Sequence, residues 1–128
     1  MKKTPDGVAE PQKITERTFN FAVRIIKLCE SLYDKRGVAG VLMPQILRAG
    51  TSVVSNVEEA QAGQSKADFI SKMAIALKEA RESHVRLRLL AVTSAIAENE
   101  LAPLIQEAEE LKRIIGAIIV SAKRRGSD

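Results

Sequence analysis

The stretch TERTFNFAVRIIKLCESLY, residues 15–33, decides the fold class. Phe19, Ala22, Val23, Ile26, Cys29 and Tyr33 recur at helical spacing, and Phe21, Ile25, Leu28 and Leu32 form a second stripe beside them. Arg17, Asn20, Arg24, Lys27, Ser31 and Asp34 take the remaining face. The two stripes together span about half the circumference, wider than the roughly 100° that a surface helix needs to reach its core. That excess points to a partner chain. Thr15 is the expected N-cap and Gly37 the expected closing residue.

Outward from this stretch the same period continues to the end of the chain. A second helix is predicted from about residue 38 to 61, with Leu42, Ile46, Ala49, Val53, Val57 and Ala60 in register. Pro44 predicts either a regular start only near Met43 or a kink. Ser65 opens a third helix that runs to about residue 97, and Asp68 stands where a capping box has Glu. Phe69, Met73, Ala76, Leu77, Ala80, Leu87 and Ala91 line one side of it. After a break at Glu98-Asn99, a fourth helix is predicted from Leu101 to about Arg125, with Pro103 in its first turn. No strand alternation and no repeat competes. The expected architecture is all-α, an up-down antiparallel four-helix bundle over residues 15–125, with a flexible tail at 1–14 and a short one at 126–128.

At 128 residues the chain has the size of one domain, and 45% hydrophobic with 28% charged residues is a globular composition. Aromatics are only 3%, so the core must be aliphatic. One Cys leaves no internal disulfide. No apolar run approaches the roughly 20 residues that span a bilayer, and Lys2-Lys3 is not followed by a leader's apolar segment. A cytoplasmic protein with no membrane partner is expected.

Little in the chain suggests catalysis. A di-iron bundle needs a Glu-x-x-His pair on each of two helices, and His84 is the sole histidine, with Glu82 and Glu79 at the wrong spacing. Cys29 lies on an apolar stripe and reads as an inert thiol, and the glycines lack phosphate-loop spacing. No enzyme activity, metal or cofactor is expected. His84 reads either as an interior histidine bonded to a neighbour or as a pH-sensitive contact.

Charge is the more informative signal. The net charge is +4, with cations concentrated at Lys66, Lys72, Lys78, Arg81, Arg86 and Arg88 and again at Lys123, Arg124 and Arg125. Acids concentrate at Glu98, Glu100, Glu107, Glu109 and Glu110. The last basic cluster admits two readings, a complement to the helix dipole or a phosphate-binding patch. A polar stripe of Gln45, Arg48, Ser52, Asn56 and Glu59 runs beside the apolar one of the second helix. It is either a solvated face or a network with Glu79, Arg81 and Glu82 across a helix or subunit contact.

The segments QILRAGTSVVSNVEEA (residues 45–60) and FISKMAIALKEARES (residues 69–83), continued by LRLL (residues 87–90), resemble the two signatures of a bacterial family. It comprises four-helix-bundle proteins named for 23S rRNA intervening sequences, and the similarity extends over residues 19–123. The resemblance implies a homopentamer without cofactor or catalytic activity. The family is similar to the accessory protein of diversity-generating retroelements, which implies RNA or DNA and a reverse transcriptase as partners. Carried over residue by residue, Gln45, Arg48, Ser52, Asn56, Glu59, Glu79 and Glu82 take packing or subunit-contact roles, and His84 directly follows the second signature. The residues expected to touch nucleic acid are Lys72, Lys78, Arg81, Arg86, Arg88, Lys123, Arg124 and Arg125. The alternative is a protein-interaction scaffold that binds no nucleic acid.

Overall fold

The structure, a computed structural model, describes residues 13–34, 36–93, 96 and 98–125. The tails expected at 1–14 and 126–128 lie, apart from Lys13 and Ile14, outside these residues. Four helices follow in order: α1 (Ile14–Ser31), α2 (Val38–Gln61), α3 (Lys66–Thr93) and α4 (Glu98–Arg125). Among the described residues there is no strand.

Side-chain pairings fix the direction of each helix. Gly50 of α2 lies against Ile25, and the Cys29 thiol reaches the Met43 carbonyl at 3.7 Å, so α2 runs back along α1. Arg48 faces Glu79 and Glu82, while Glu59 faces Lys72, so α3 runs back along α2. His84 pairs with Glu109, and Lys66 reaches the Lys123 carbonyl, which reverses the chain once more into α4. Among the packed pairs α1 touches α4 least. Leu, Ile, Val, Ala and Met side chains from all four helices close one core around Phe21. Fully burying a Leu or Ile is worth about 1.5–3 kcal/mol, which outweighs the weak intrinsic propensity of each helix.

The ends depart from the sequence reading at several points. Lys13, not Thr15, occupies the N-cap position of α1, with extended backbone and no side-chain cap. Ile14 packs against the core, and the N-cap lies two residues upstream of the expected one. Gly37 does not close α1, which ends at Ser31. Instead Gly37 adopts φ +83° as the N-cap residue of α2, a left-handed turn that favours glycine, and its carbonyl accepts the Val41 amide at 3.2 Å. α2 runs through Pro44, which is exposed and lacks the amide that would bond the Gly40 carbonyl.

Ser65 caps α3 as expected, accepting the Asp68 amide on its hydroxyl at 3.1 Å. That helix spans Lys66–Thr93, 28 residues or about 42 Å, and its expected end at Ala97 lies outside the described residues. α4 begins at Glu98, so Asn99 lies inside it and Pro103 falls in the second turn. By length and a mean hydropathy of 1.2, α2 is apolar enough to cross a bilayer, contrary to the expectation that no such run exists. In the fold its Ile46, Val53 and Val57 are buried in the core.

On α1 only one of the two apolar stripes is interior. Phe21, Ile25, Leu28 and Leu32 are buried, with Ala22 and Cys29 from the other stripe. Phe19 (56% exposed), Ile26 and Tyr33 face outward.

Candidate nucleic-acid interface

The eight cations singled out by sequence fall into three settings. Lys72 is tied to Glu59 at 3.1 Å and Arg86 to Glu82 at 3.2 Å, so their charge is locally compensated. Lys78, Arg81 and Arg88 are exposed on α3. Lys123, Arg124 and Arg125 are exposed in the last turn of α4, and Lys66 joins them by donating from Nζ to the Lys123 carbonyl at 3.4 Å. None of these last two groups has an ion-pair partner among the described residues.

The polar stripe of α2 lies along α3. Arg48 sits 3.5 Å from Glu79 and 3.6 Å from Glu82, while Arg81 stays outside on the exposed side of α3. Glu79 is only 6% exposed, and Arg48 supplies its cation. Burial pushes the Glu82 carboxyl up, but the Arg86 hydrogen bond and the charges of Arg86, Lys78 and Arg48 outweigh it and hold it below the usual range. Asn56 donates to the Ser52 carbonyl at 2.8 Å, and Gln45 is exposed. Arg48 and Glu59 are the stripe members that reach α3, whereas Asn56 bonds within α2; Glu79 and Ser83 are the polar groups that α3 carries into its buried side.

His84 lies at the α3–α4 contact. Lys112 places Nζ 3.3 Å from Nδ1, and Glu109 places Oε2 3.4 Å from Nε2 and 2.9 Å from Lys112 Nζ. This arrangement suits a neutral imidazole that accepts from the ammonium at Nδ1, with the Glu109 carboxylate beside Nε2. Burial lowers the His84 pKa, Lys112 and Arg88 lower it further, and Glu109 opposes them. Burial likewise pushes the Cys29 thiol up, which is the opposite of what a nucleophile needs.

Two features escape the sequence reading. Arg17 forms a two-pronged pair with Glu107 (2.9 and 2.7 Å) and reaches Glu110 at 2.6 Å. The i,i+3 spacing of the two acids was a readable signal; their partner lies 90 residues away and was not. The second is an open groove of about 400 Å³ where α3 begins and α4 ends. Phe69, Ile114, Ala117, Ile118 and Ala122 give it apolar walls, with Ser121 and Arg125 as polar members. No α1 residue lines it.

The family model of the 23S rRNA-intervening sequence protein matches residues 10–117. A crystal structure from Bacteroides thetaiotaomicron, described as a protein with unknown function from the S23 ribosomal protein family, is 37% identical with a TM-score of 0.77. The match covers 84% of this chain and 98% of that one. No curated protein matches. Most of the chain therefore fits one family model and nearly all of one solved relative, and the chain belongs to the 23S rRNA-intervening sequence protein family.

Proposed function

We propose that the protein is a non-enzymatic, homo-oligomeric accessory that binds RNA or DNA by phosphate contacts. The observation that carries this reading is the set of exposed cations without ion-pair partners among the described residues: Lys78, Arg81 and Arg88 on α3, and Lys66 with Lys123, Arg124 and Arg125 at the end of α4. Three acids of α4 are engaged elsewhere, Glu107 and Glu110 by Arg17 and Glu109 by Lys112. In the pentamer that the family resemblance implies, five copies multiply the +4 of one chain, which favours multivalent, salt-dependent binding. The same resemblance makes a reverse transcriptase the protein partner to try first.

The test is fluorescence anisotropy against structured RNA and duplex DNA over a salt series. Affinity is expected to fall linearly with salt on logarithmic axes. Replacing Lys123, Arg124 and Arg125 by Ala is expected to weaken binding and flatten the slope; an unchanged slope removes those residues from the site.

A protein scaffold without nucleic acid is the second reading, favoured by the exposed apolar side chains. Phe19 and Ile26 lie on α1 with Glu16 and Glu30, and Tyr33 follows in the turn, whereas Val85, Leu89 and Val92 lie on α3 with Arg81 and Arg88. Apolar faces rimmed by opposite charges suit head-to-tail contact between copies, the geometry that closes rings. Assembly resting on these faces predicts that Ile26→Glu lowers the mass seen by light scattering while helicity by circular dichroism is kept. Ile25 and Leu28, being interior, would unfold the chain instead. An Ile26→Glu variant with unchanged mass excludes this face.

A further inference from the structure

We infer that the groove between the start of α3 and the end of α4 receives an unpaired base of a single-stranded nucleic acid, whose phosphates the surrounding cations hold. The inference rests on the nucleic-acid reading and narrows it from any phosphate polymer to strands with exposed bases.

Three observations converge at this place. The groove has the volume of a small-molecule site, about 400 Å³, and mostly apolar walls. Phe69 supplies an aromatic ring at one wall, and unpaired bases bind proteins by stacking on such rings. Arg125 lines the groove itself, and Ser121 offers a hydroxyl, so the polar edge of a base has both a charged donor and a group that can donate or accept. Beside them Lys66 and Lys123 are brought together by the 3.4 Å contact between Lys66 Nζ and the Lys123 carbonyl, and neither has a carboxylate partner among the described residues. An apolar slot with a cationic rim matches the chemistry of a nucleotide, an apolar ring joined to an anionic phosphate. A duplex keeps its bases stacked and leaves the slot empty.

The experiment compares three labelled probes of equal length on the full chain: an oligo(U) strand, the same strand with abasic residues, and a duplex. The wild type is expected to bind oligo(U) more tightly than the abasic strand by about 5- to 150-fold, equivalent to about 1–3 kcal/mol at 1.4 kcal/mol per tenfold. Phe69→Leu keeps an apolar side chain but removes the ring; it is expected to erase that ratio and leave duplex affinity unchanged. Equal wild-type affinity for oligo(U) and abasic strands overturns the inference even where the variant fails to fold. Salt-dependent binding of all three probes at one affinity overturns it too, while keeping the phosphate reading. Absence of binding to every probe at low salt overturns both. A groove that serves a protein partner instead shows itself by a ratio near one that Phe69→Leu does not move.

Discussion

A methyl group added at Gly50 and one added at Gly116 have opposite expected effects, although both glycines lie inside helices. A Cβ built on Gly50 falls 2.9 Å from both Cγ1 and Cγ2 of Ile25 and 3.2 Å from its Cβ. Ile25 is 0% exposed, and its branched side chain has few rotamers to retreat into. The α1–α2 contact must therefore open, a strain of about 1–3 kcal/mol. At Gly116 no atom lies within 4 Å of the added carbon. There Ala brings only its helix preference, about 1 kcal/mol of stabilisation. Because that preference applies at both sites, the difference between Gly50→Ala and Gly116→Ala isolates the overpacking. For a chain of 128 residues, about 1–3 kcal/mol corresponds to roughly 3–15 °C between the two melting midpoints. The assay is thermal unfolding by circular dichroism at one fixed chain concentration, since assembly makes the midpoint concentration-dependent. A double-mutant cycle with Ile25→Ala, which removes both Cγ atoms, should show Gly50→Ala losing most of its cost. Equal stabilisation by the two glycine replacements would refute the close approach of α1 to α2.

Other outcomes follow from the polar contacts. Burial and Lys112 hold His84 below its unfolded value of 6.5, so the folded state prefers the neutral ring. Its contribution to stability is complete above pH 6.5 and is lost as pH falls through the lowered folded value. His84→Gln should flatten the stability profile between about pH 7 and 5, whereas Glu82, Glu109 and Glu110, held below 4.5, lose their contribution only at lower pH. A variant profile that overlays the wild type in that window would assign the pH dependence elsewhere. Arg48→Ala strands the buried Glu79 carboxylate and should cost about 1–2 kcal/mol by urea denaturation, the half-exposed guanidinium reducing the full cost of a broken interior pair. Adding Glu79→Gln should recover part of that loss, and an unchanged midpoint in Arg48→Ala would mean that water already satisfies Glu79.

What the sequence shows and hides about this bundle divides along one physical line, between neighbours in the chain and neighbours in space. The helical period of residues 15–33 and the Ser65 cap depend on residues within a turn or two, and both are legible. The choice between the two apolar stripes of α1 is not, because Phe19 and Ile26 are as apolar as Phe21 and Ile25; the close approach of Gly50 decides which faces inward. Charge follows the same division. All eight cations assigned to nucleic acid count equally in a formal sum, yet α2 supplies Glu59 to Lys72, and Glu82 of α3 holds Arg86. Lys78, Arg81, Arg88 and the end of α4 form no ion pair among the described residues, although the Lys78 charge is felt by Glu82. A cation serves a polyanion most where no carboxylate already competes for it, so on the proposed reading the packing of α2 on α3 decides which cations are left for a polyanion. The end of α4 is where exposed cations and an apolar slot coincide, and no α1 residue lines that slot.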